Sequence, residues 1–416
     1  FALQDNTTGA NNVATGRAAL GDNTTGYSNV ATGHNALRLN TGGIENTALG
    51  NAALYNSTAN YNTAVGASAL NANTTGSQNT AIGTFANRAN TSASNNVSLG
   101  YASLLLATTG HSNTTVGSLS GQSLTSGTGN AFFGIRAGDS NTTGVANTFI
   151  GGSYASYVGA ANTTGSYNVA LGADALAANT SADNNVAVGP SALKANTTAS
   201  FNVAVGTSAM LSTTTGGSNT AVGANAMRTN TTGIENTAFG LNALYSNTSA
   251  NYNTALGYVA LTDNTTGSQN VAVGRNTLAN NTTGLYNSAS GYSALSEVTT
   301  GQQNSGFGRL AGSGLTTGQN NTFIGYFARP SSISQTNANV IGHSVVGAAG
   351  YTTLGVGTSD IRAGNGTATW AAVSDERYKK DIEHSTAGLN FVNDLKPRTF
   401  NYRNKGDLPT TFRAYK

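Results

Sequence analysis

Residues 219–235 read NTAVGANAMRTNTTGIE, and Asn236 begins the same pattern again. Counting the first Asn as position one, the glycine at position five returns from Gly16 to Gly342. Nearly every step is 17 residues, with one step of 16 and one of 21. A fixed short period is typical of a solenoid, in which each repeat is one coil that buries its apolar side against the next coil.

The turns between these coils argue for β-structure. About a dozen residues separate successive turns, and each stretch carries a further glycine, which costs about 1 kcal/mol inside a helix. Two-helix repeats also need about 33 residues. We therefore predict an all-β, parallel β-solenoid or β-roll of about 20 coils over residues 1–342, a rod on the order of 100 Å long. The turn sequence Asn-Thr-Thr-Gly occurs at 6–9, 23–26, 73–76, 141–144, 162–165, 230–233, 264–267 and 281–284.

Strand alternation predicts how the side chains of a coil divide between two faces. In Asn29-Val30-Ala31-Thr32-Gly33, positions two and four point to one face, and Ala and Gly point to the other. We expect the apolar residues at position four, with Leu or Met at position nine, to fill a thin core. The flat Ala/Gly face would then pack against a neighbouring subunit.

Two further repeat features have alternative interpretations. Asn at position one could form a side-chain amide ladder from coil to coil, or could reflect turn preference alone. Phe132, Phe149 and Phe323 replace the usual Ala at position three. We interpret them as widened coils or internal caps, with an exposed receptor platform as the alternative.

Charge is scarce and unevenly distributed. Charged residues make up 8% of the chain, against roughly 25% in an average soluble protein. Residues 374–416 hold nine Lys/Arg and six Asp/Glu, so the 373 residues before them hold ten of each. A nucleic-acid partner would need a basic stripe along the body; none is expected. No apolar run is long enough to insert into a membrane.

Residue types also exclude several kinds of site. The chain has no cysteine, and its four histidines are isolated, so we expect no metal and no cofactor. The ten carboxylates of the body are scattered, whereas glycoside hydrolysis needs a pair about 5–10 Å apart. Stacking could still bring Asp174 and Asp183 together. The tyrosines just before position one could stack on sugars or on one another; they are Tyr61, Tyr167, Tyr252 and Tyr286.

The pattern changes after the last coil. Residues 343–373 form a glycine-rich neck, and Ser374 opens the charged segment. Leu389, Val392 and Leu395 lie at helical spacing, so we predict a short amphipathic helix that ends before Pro397. A solvated helix with an N-terminal serine cap is the simplest interpretation of this segment.

The segment 374–416 also resembles the start of the intramolecular chaperone of the endosialidase and phage tail-spike type. The resemblance is carried by Ser-Asp-x-Arg-x-Lys followed by Gly-Leu-x-x-Val-x-x-Leu-x-Pro. It implies a C-terminal autoprotease that helps a β-rich fibre to trimerise. The implied scissile bond is Val373–Ser374, with Ser374 as nucleophile, Lys379 as its partner, and Asp375 and Arg377 supporting. By this resemblance, we expect residues 374–416 to be the N-terminal part of the chaperone domain.

The repeats resemble those of tail-fibre-domain proteins and, more distantly, the heads of trimeric autotransporter adhesins. We predict the homotrimeric shaft of a phage tail fibre, located on the virion tail or at a cell surface. Its partners would be a host cell-surface receptor, with a glycan as one candidate, and other virion or appendage proteins bound through sequence before Phe1. The alternatives are a bacterial trimeric surface adhesin and a polysaccharide-degrading tailspike. Apart from self-cleavage, we expect no enzymatic activity on a substrate.

Overall fold

The computed structural model describes residues 1–152, 155–367, 369, 371 and 372. These residues form 25 β-strands and no helix. The chain divides into two compact units, Phe1–Ala372 and Val373–Lys416, and the description covers the first. The helix predicted after Ser374 lies outside the described residues.

One three-residue strand occupies positions two to four of each coil. Each strand pairs in parallel with the strands one coil earlier and one coil later, so that equal positions face each other, as Ala204 does with Ala221. The predicted parallel β-solenoid of about 20 coils is confirmed. These strands are β1 Val13–Thr15, β2 Val30–Thr32, β3 Thr47–Leu49, β4 Thr63–Val65, β5 Thr80–Ile82, β6 Val97–Leu99, β7 Thr114–Val116, β8 Ala131–Phe133, β9 Thr148–Ile150, β10 Val169–Leu171, β11 Val186–Val188, β12 Val203–Val205, β13 Thr220–Val222, β14 Thr237–Phe239, β15 Thr254–Leu256, β16 Val271–Val273, β17 Ser288–Ser290, β18 Ser305–Phe307 and β19 Thr322–Ile324.

The stack ends in a different arrangement. Strand β21 (Asn339–His343) pairs in parallel with β19 and with β23 (Tyr351–Val356). Strand β24 (Ser359–Gly364) then turns back antiparallel to β23, and β25 (Ala371–Ala372) is antiparallel to β24. The short pair β20 (Arg329–Pro330) and β22 (Val346–Gly347) lies beside them. The segment predicted as a glycine-rich neck thus contains a β-hairpin that continues the sheet.

The core is built from small side chains on the strand and large ones opposite. Ala204 at position three, Ala209 at position eight and Met210 at position nine are all fully buried. Position four points outward instead and is half-buried or exposed, as at Phe239 with 52% of its surface accessible. The prediction for position nine is therefore correct, but the predicted strand faces are inverted. A coil of 17 residues encloses so little volume that the inward strand position accommodates Ala, and the larger residue points out.

Backbone conformation explains the glycine period. Gly206 at position five has φ of +132°, and a Cβ there would lie 2.6 Å from the carbonyl oxygen of Gly223 in the next coil. A side chain is excluded by conformation and by stacking together. Positions seven, nine and seventeen also adopt the left-handed conformation but carry other residues, such as Ser208, Met210 and Ser218 with φ of 50–60°.

The asparagine at position one forms the predicted ladder. The Oδ1 of Asn29 accepts hydrogen bonds from the backbone N–H of Asn46 at 3.0 Å and from its Nδ2 at 3.1 Å. A second ladder, which the sequence analysis did not predict, runs through position twelve, where Asn40 Nδ2 donates to Asn23 Oδ1 at 3.0 Å. Both ladders meet at one acceptor, since Asn29 and Asn40 each donate to the Gly43 carbonyl. The two amides thereby link positions one and twelve of the coil to the carbonyl of position fifteen.

The phenylalanines at position three lie inside the coil. Phe132 and Phe149 are fully buried and stack with ring centroids 5.1 Å apart and planes at 11°. Beside these two rings the leucine of position nine is replaced by glycine, and a Cβ at Gly138 would come within 2.9 Å of the Phe132 ring. Phe at position three and Gly at position nine thus take the place of the usual Ala and Leu. Strand pairing continues on both sides without a break. Both the receptor-platform and the cap interpretations are wrong, because the rings fill the interior of a continuous stack.

Candidate functional site

The outward side of the strands is a long, nearly uncharged surface, which we call the strand face. It consists of positions two and four of β1 to β19. Position four is apolar except at Thr15, Thr32 and Ser290, and position two is mostly Val or Thr. At about 10 Å per three-residue strand and about 4.8 Å per coil, the strand face covers roughly 900 Å². Monomeric soluble proteins rarely expose contiguous apolar patches larger than a few hundred Å².

The carboxylates of the body bind separate partners. Asp174 at position seven forms an ion pair with Lys194, with Oδ2 and Nζ 2.9 Å apart. Asp183 at position sixteen accepts a hydrogen bond from the Ser166 N–H at 2.7 Å. The stacking that could have joined these two carboxylates instead places them at different positions around the coil. The arrangement gives no support to a hydrolytic pair.

One other carboxylate has a perturbed environment. Partial burial raises the pKa of Asp139, and the positive charge of Arg136 opposes that rise. No group of three or more His, Asp or Glu side chains suited to a metal ion occurs in the described part of the chain. The acidic residues therefore offer single charges on the surface of a stack.

The tyrosines that precede position one are exposed. Tyr61, Tyr167, Tyr252 and Tyr286 are each about half accessible. None of these four rings contacts another aromatic ring among the described residues. The predicted stacking of these rings on one another is not found among the described residues.

A column of alternating aromatic and basic side chains, which we call the position-six column, was missed by the sequence analysis. The Arg275 guanidinium carbon lies 5.5 Å from the ring centroid of Tyr258 and 5.7 Å from that of Tyr292. Arg309 lies 5.8 Å from Tyr292 and 5.4 Å from Tyr326. Comparing position six between consecutive repeats would have shown the alternation. The column consists of Tyr258, Arg275, Tyr292, Arg309, Tyr326 and His343, all exposed.

The residues predicted for self-cleavage lie outside the described part of the chain. These are Ser374, Lys379, Asp375 and Arg377, together with the Val373–Ser374 bond. The structure therefore does not test whether they come together. In the part of the chain that the structure covers, no helix is long and apolar enough to cross a membrane.

Comparison with known proteins identifies the C-terminal segment. Residues 374–412 match the family model described as chaperone of endosialidase. No curated protein and no solved structure matches the chain. The resemblance predicted for this segment is confirmed. A β-solenoid of about twenty coils followed by such a segment fits a tail-fibre-type protein with a C-terminal chaperone.

Proposed function

We propose that the chain is the shaft of a homotrimeric fibre of the phage tail-fibre type and that it acts in host attachment. The observation that carries this proposal is the strand face, which leaves a row of apolar side chains unpartnered along the whole stack. Leu256, for example, has 45% of its surface accessible although it lies in the middle of the sheet. A partner surface would remove this row from water.

A parallel copy of the same chain is the partner that fits the strand face best. Equal positions repeat at one spacing, so parallel copies can align their rows over the full length, and the face carries no charge to repel a copy. Closed cyclic symmetry is the rule for homo-oligomers. Three faces would bring together roughly 2,700 Å², against the roughly 1,000 Å² needed by a specific interface. The number three is supported by the chaperone-type segment at residues 374–412.

The role in attachment is supported by the same fold and segment. A stack of neutral coils is a spacer, and a tail-fibre-type protein with a chaperone would serve on a virion tail, bound to other virion or appendage proteins. A bacterial trimeric adhesin would use the same shaft at a cell surface. The carboxylates give no support to a polysaccharide-degrading tailspike. A halo in a capsule-clearing assay would be evidence for that activity.

Sedimentation of the full chain tests the trimer and its interface. We expect the wild type to sediment as a trimer. The double variant Phe239→Lys with Leu256→Lys should fall to monomer or aggregate, because six charges would be buried at one interface. The matched control, Ser246→Lys with Asn280→Lys, changes position eleven and should remain trimeric. A monomeric wild type would overturn the proposal, and equal effects of both double variants would overturn the assignment of the interface.

A further inference from the structure

We propose that the position-six column binds an acidic polysaccharide, with Arg275 and Arg309 holding its anionic groups. This inference rests on the proposed function, because it names the chemical class of a host surface receptor and the residues that meet it. The column occupies six consecutive coils that begin at residues 253, 270, 287, 304, 321 and 338.

The two arginines carry charge that nothing in the described structure neutralises. The ion pairs among the described residues join Lys194 to Asp174 and Arg362 to Asp360. Neither Arg275 nor Arg309 has a carboxylate within ion-pair distance among these residues. In a body with so few charges, two exposed guanidinium groups on one line form a local concentration of positive charge.

Stacking prepares these guanidinium groups for an anion. Each guanidinium carbon lies 5.4–5.8 Å from the centroids of two tyrosine rings, one in each neighbouring coil. Both arginines are exposed, and each carries five N–H donors in one plane. A carboxylate or sulfate takes two such donors at once. Contacts with two rings restrict the arginine side chain before it binds, so less conformational entropy is lost on binding.

The remaining members of the column suit hydroxyl groups. Tyr258, Tyr292 and Tyr326 are exposed, and a phenol both donates and accepts a hydrogen bond. His343 extends the column, with its ring 5.0 Å from that of Tyr326. The ligand would thus meet anion sites and hydroxyl sites in alternation along one straight line.

Length and charge density favour a polysaccharide over a nucleic acid. At about 4.8 Å per coil, the arginines are about 10 Å apart and the column is roughly 24 Å long. This matches a polymer with acidic groups separated by neutral, hydroxyl-rich units. A nucleic acid carries one charge per about 1.7 Å of duplex and would need many more cations than two arginines.

Binding of the full-length protein to immobilised polysaccharides tests the inference. The probes are polygalacturonate for carboxylates, dextran sulfate for sulfates and dextran as the neutral control. We expect binding to one or both acidic polymers and none to dextran. The double variant Arg275→Gln with Arg309→Gln should bind at least about tenfold more weakly, because each charge-assisted contact is worth about 1.5 kcal/mol or more. Tyr292→Leu keeps the charge but removes the shared ring, and should also weaken binding.

The matched control is Arg17→Gln with Arg38→Gln. It removes the same charge, and Arg17 occupies position six far from the column. It should bind like the wild type. Equal loss in both double variants would show that net charge alone attracts the polymers and would overturn the inference. So would a trimeric wild type that binds neither acidic polymer, an outcome that leaves the fibre shaft intact. A column variant with altered sedimentation would instead make the column a subunit contact.

Discussion

The side-chain oxygen of Asn219 accepts two hydrogen bonds from Asn236, one from its backbone N–H at 2.9 Å and one from its Nδ2 at 3.2 Å. Asn236 in turn accepts from the N–H of Asn253 and donates to the carbonyl of Ala250. One buried amide thus joins three successive coils. Its polar atoms are satisfied within the stack, which is the condition under which a buried amide stabilises a fold.

Replacing one member of this ladder should weaken the stack. We expect Asn236→Leu to lower the free energy of unfolding by about 2–4 kcal/mol, because it leaves the buried N–H of Asn253 without its acceptor and removes one of the two amide donors to the carbonyl of Ala250. Denaturant unfolding, followed by circular dichroism, measures the change. Asn280→Leu alters an exposed asparagine and should be nearly neutral. A neutral result at Asn236 would mean that the ladder reflects turn preference alone.

A pair of substitutions at neighbouring positions tests the backbone account. Gly206→Ala should destabilise by several kcal/mol, since both its φ and its contact with the next coil exclude a Cβ. Ser208→Gly should stay within about 0.5 kcal/mol of the wild type. At this position glycine avoids the conformational cost of a serine with positive φ, and this gain offsets the greater conformational freedom of glycine in the unfolded chain. If Gly206→Ala were tolerated, stacking alone would not explain the 17-residue period.

We expect replacement of Asn87 by an apolar residue to stabilise the protein. It occupies position nine between Leu70 and Leu104, is fully buried, and both of its side-chain polar atoms lack a hydrogen-bond partner. Asn87→Leu should raise the free energy of unfolding by about 1–3 kcal/mol by removing unpaired polar groups from the core. The same change at Asn73, whose amide bonds to Ser57 and Gly76, should have the opposite sign. Thermal unfolding of the two variants makes the comparison.

Asp139 should make stability depend on pH. Its pKa is raised in the folded state, so between its ordinary value of 3.8 and the raised value the folded chain holds more proton than the unfolded chain. Stability is then lost as pH rises through that interval. Asp139→Asn should therefore stabilise the protein at pH 7 and have little effect well below pH 3.8. Asp263→Asn, at an exposed site, is the control variant for parallel melts across this range.

Self-cleavage remains a prediction for a chain that carries the complete chaperone domain. Wild type should yield a product ending at Val373, detected by mass spectrometry, whereas Ser374→Ala and Lys379→Ala should stay full length. A lysine with the ordinary pKa of about 10.4 is protonated at pH 7, so Lys379 can act as base only where its surroundings lower that value. Efficient cleavage in both variants would leave Ser374 as a helix cap.

The fold could be predicted from sequence because the glycine period is explicit. The direction in which each strand faces could not be predicted. The spacing of glycine fixed the number of coils, and the turn sequences excluded helices. The direction in which a strand faces depends on the width of the coil. The alternation of Ala221 and Val222 is the same whichever of the two side chains points inward. Only the small space inside the coil requires that the alanine does. The position-six column required comparison between coils, which reading Arg275 or Tyr292 within its own repeat does not provide.

The left-handed residues at positions seven, nine and seventeen have a kinetic consequence. Each non-glycine residue in that conformation costs about 1 kcal/mol or more, and a coil carries three of them. The backbone and amide hydrogen bonds that offset this cost run between coils, as from Leu193 to Ala209. A lone coil therefore bears the cost without the compensation. The stack must form as a crystal does, through a slow, improbable nucleus followed by rapid addition of coils to an existing edge. A protein built in this way depends on whatever supplies its first ordered edge.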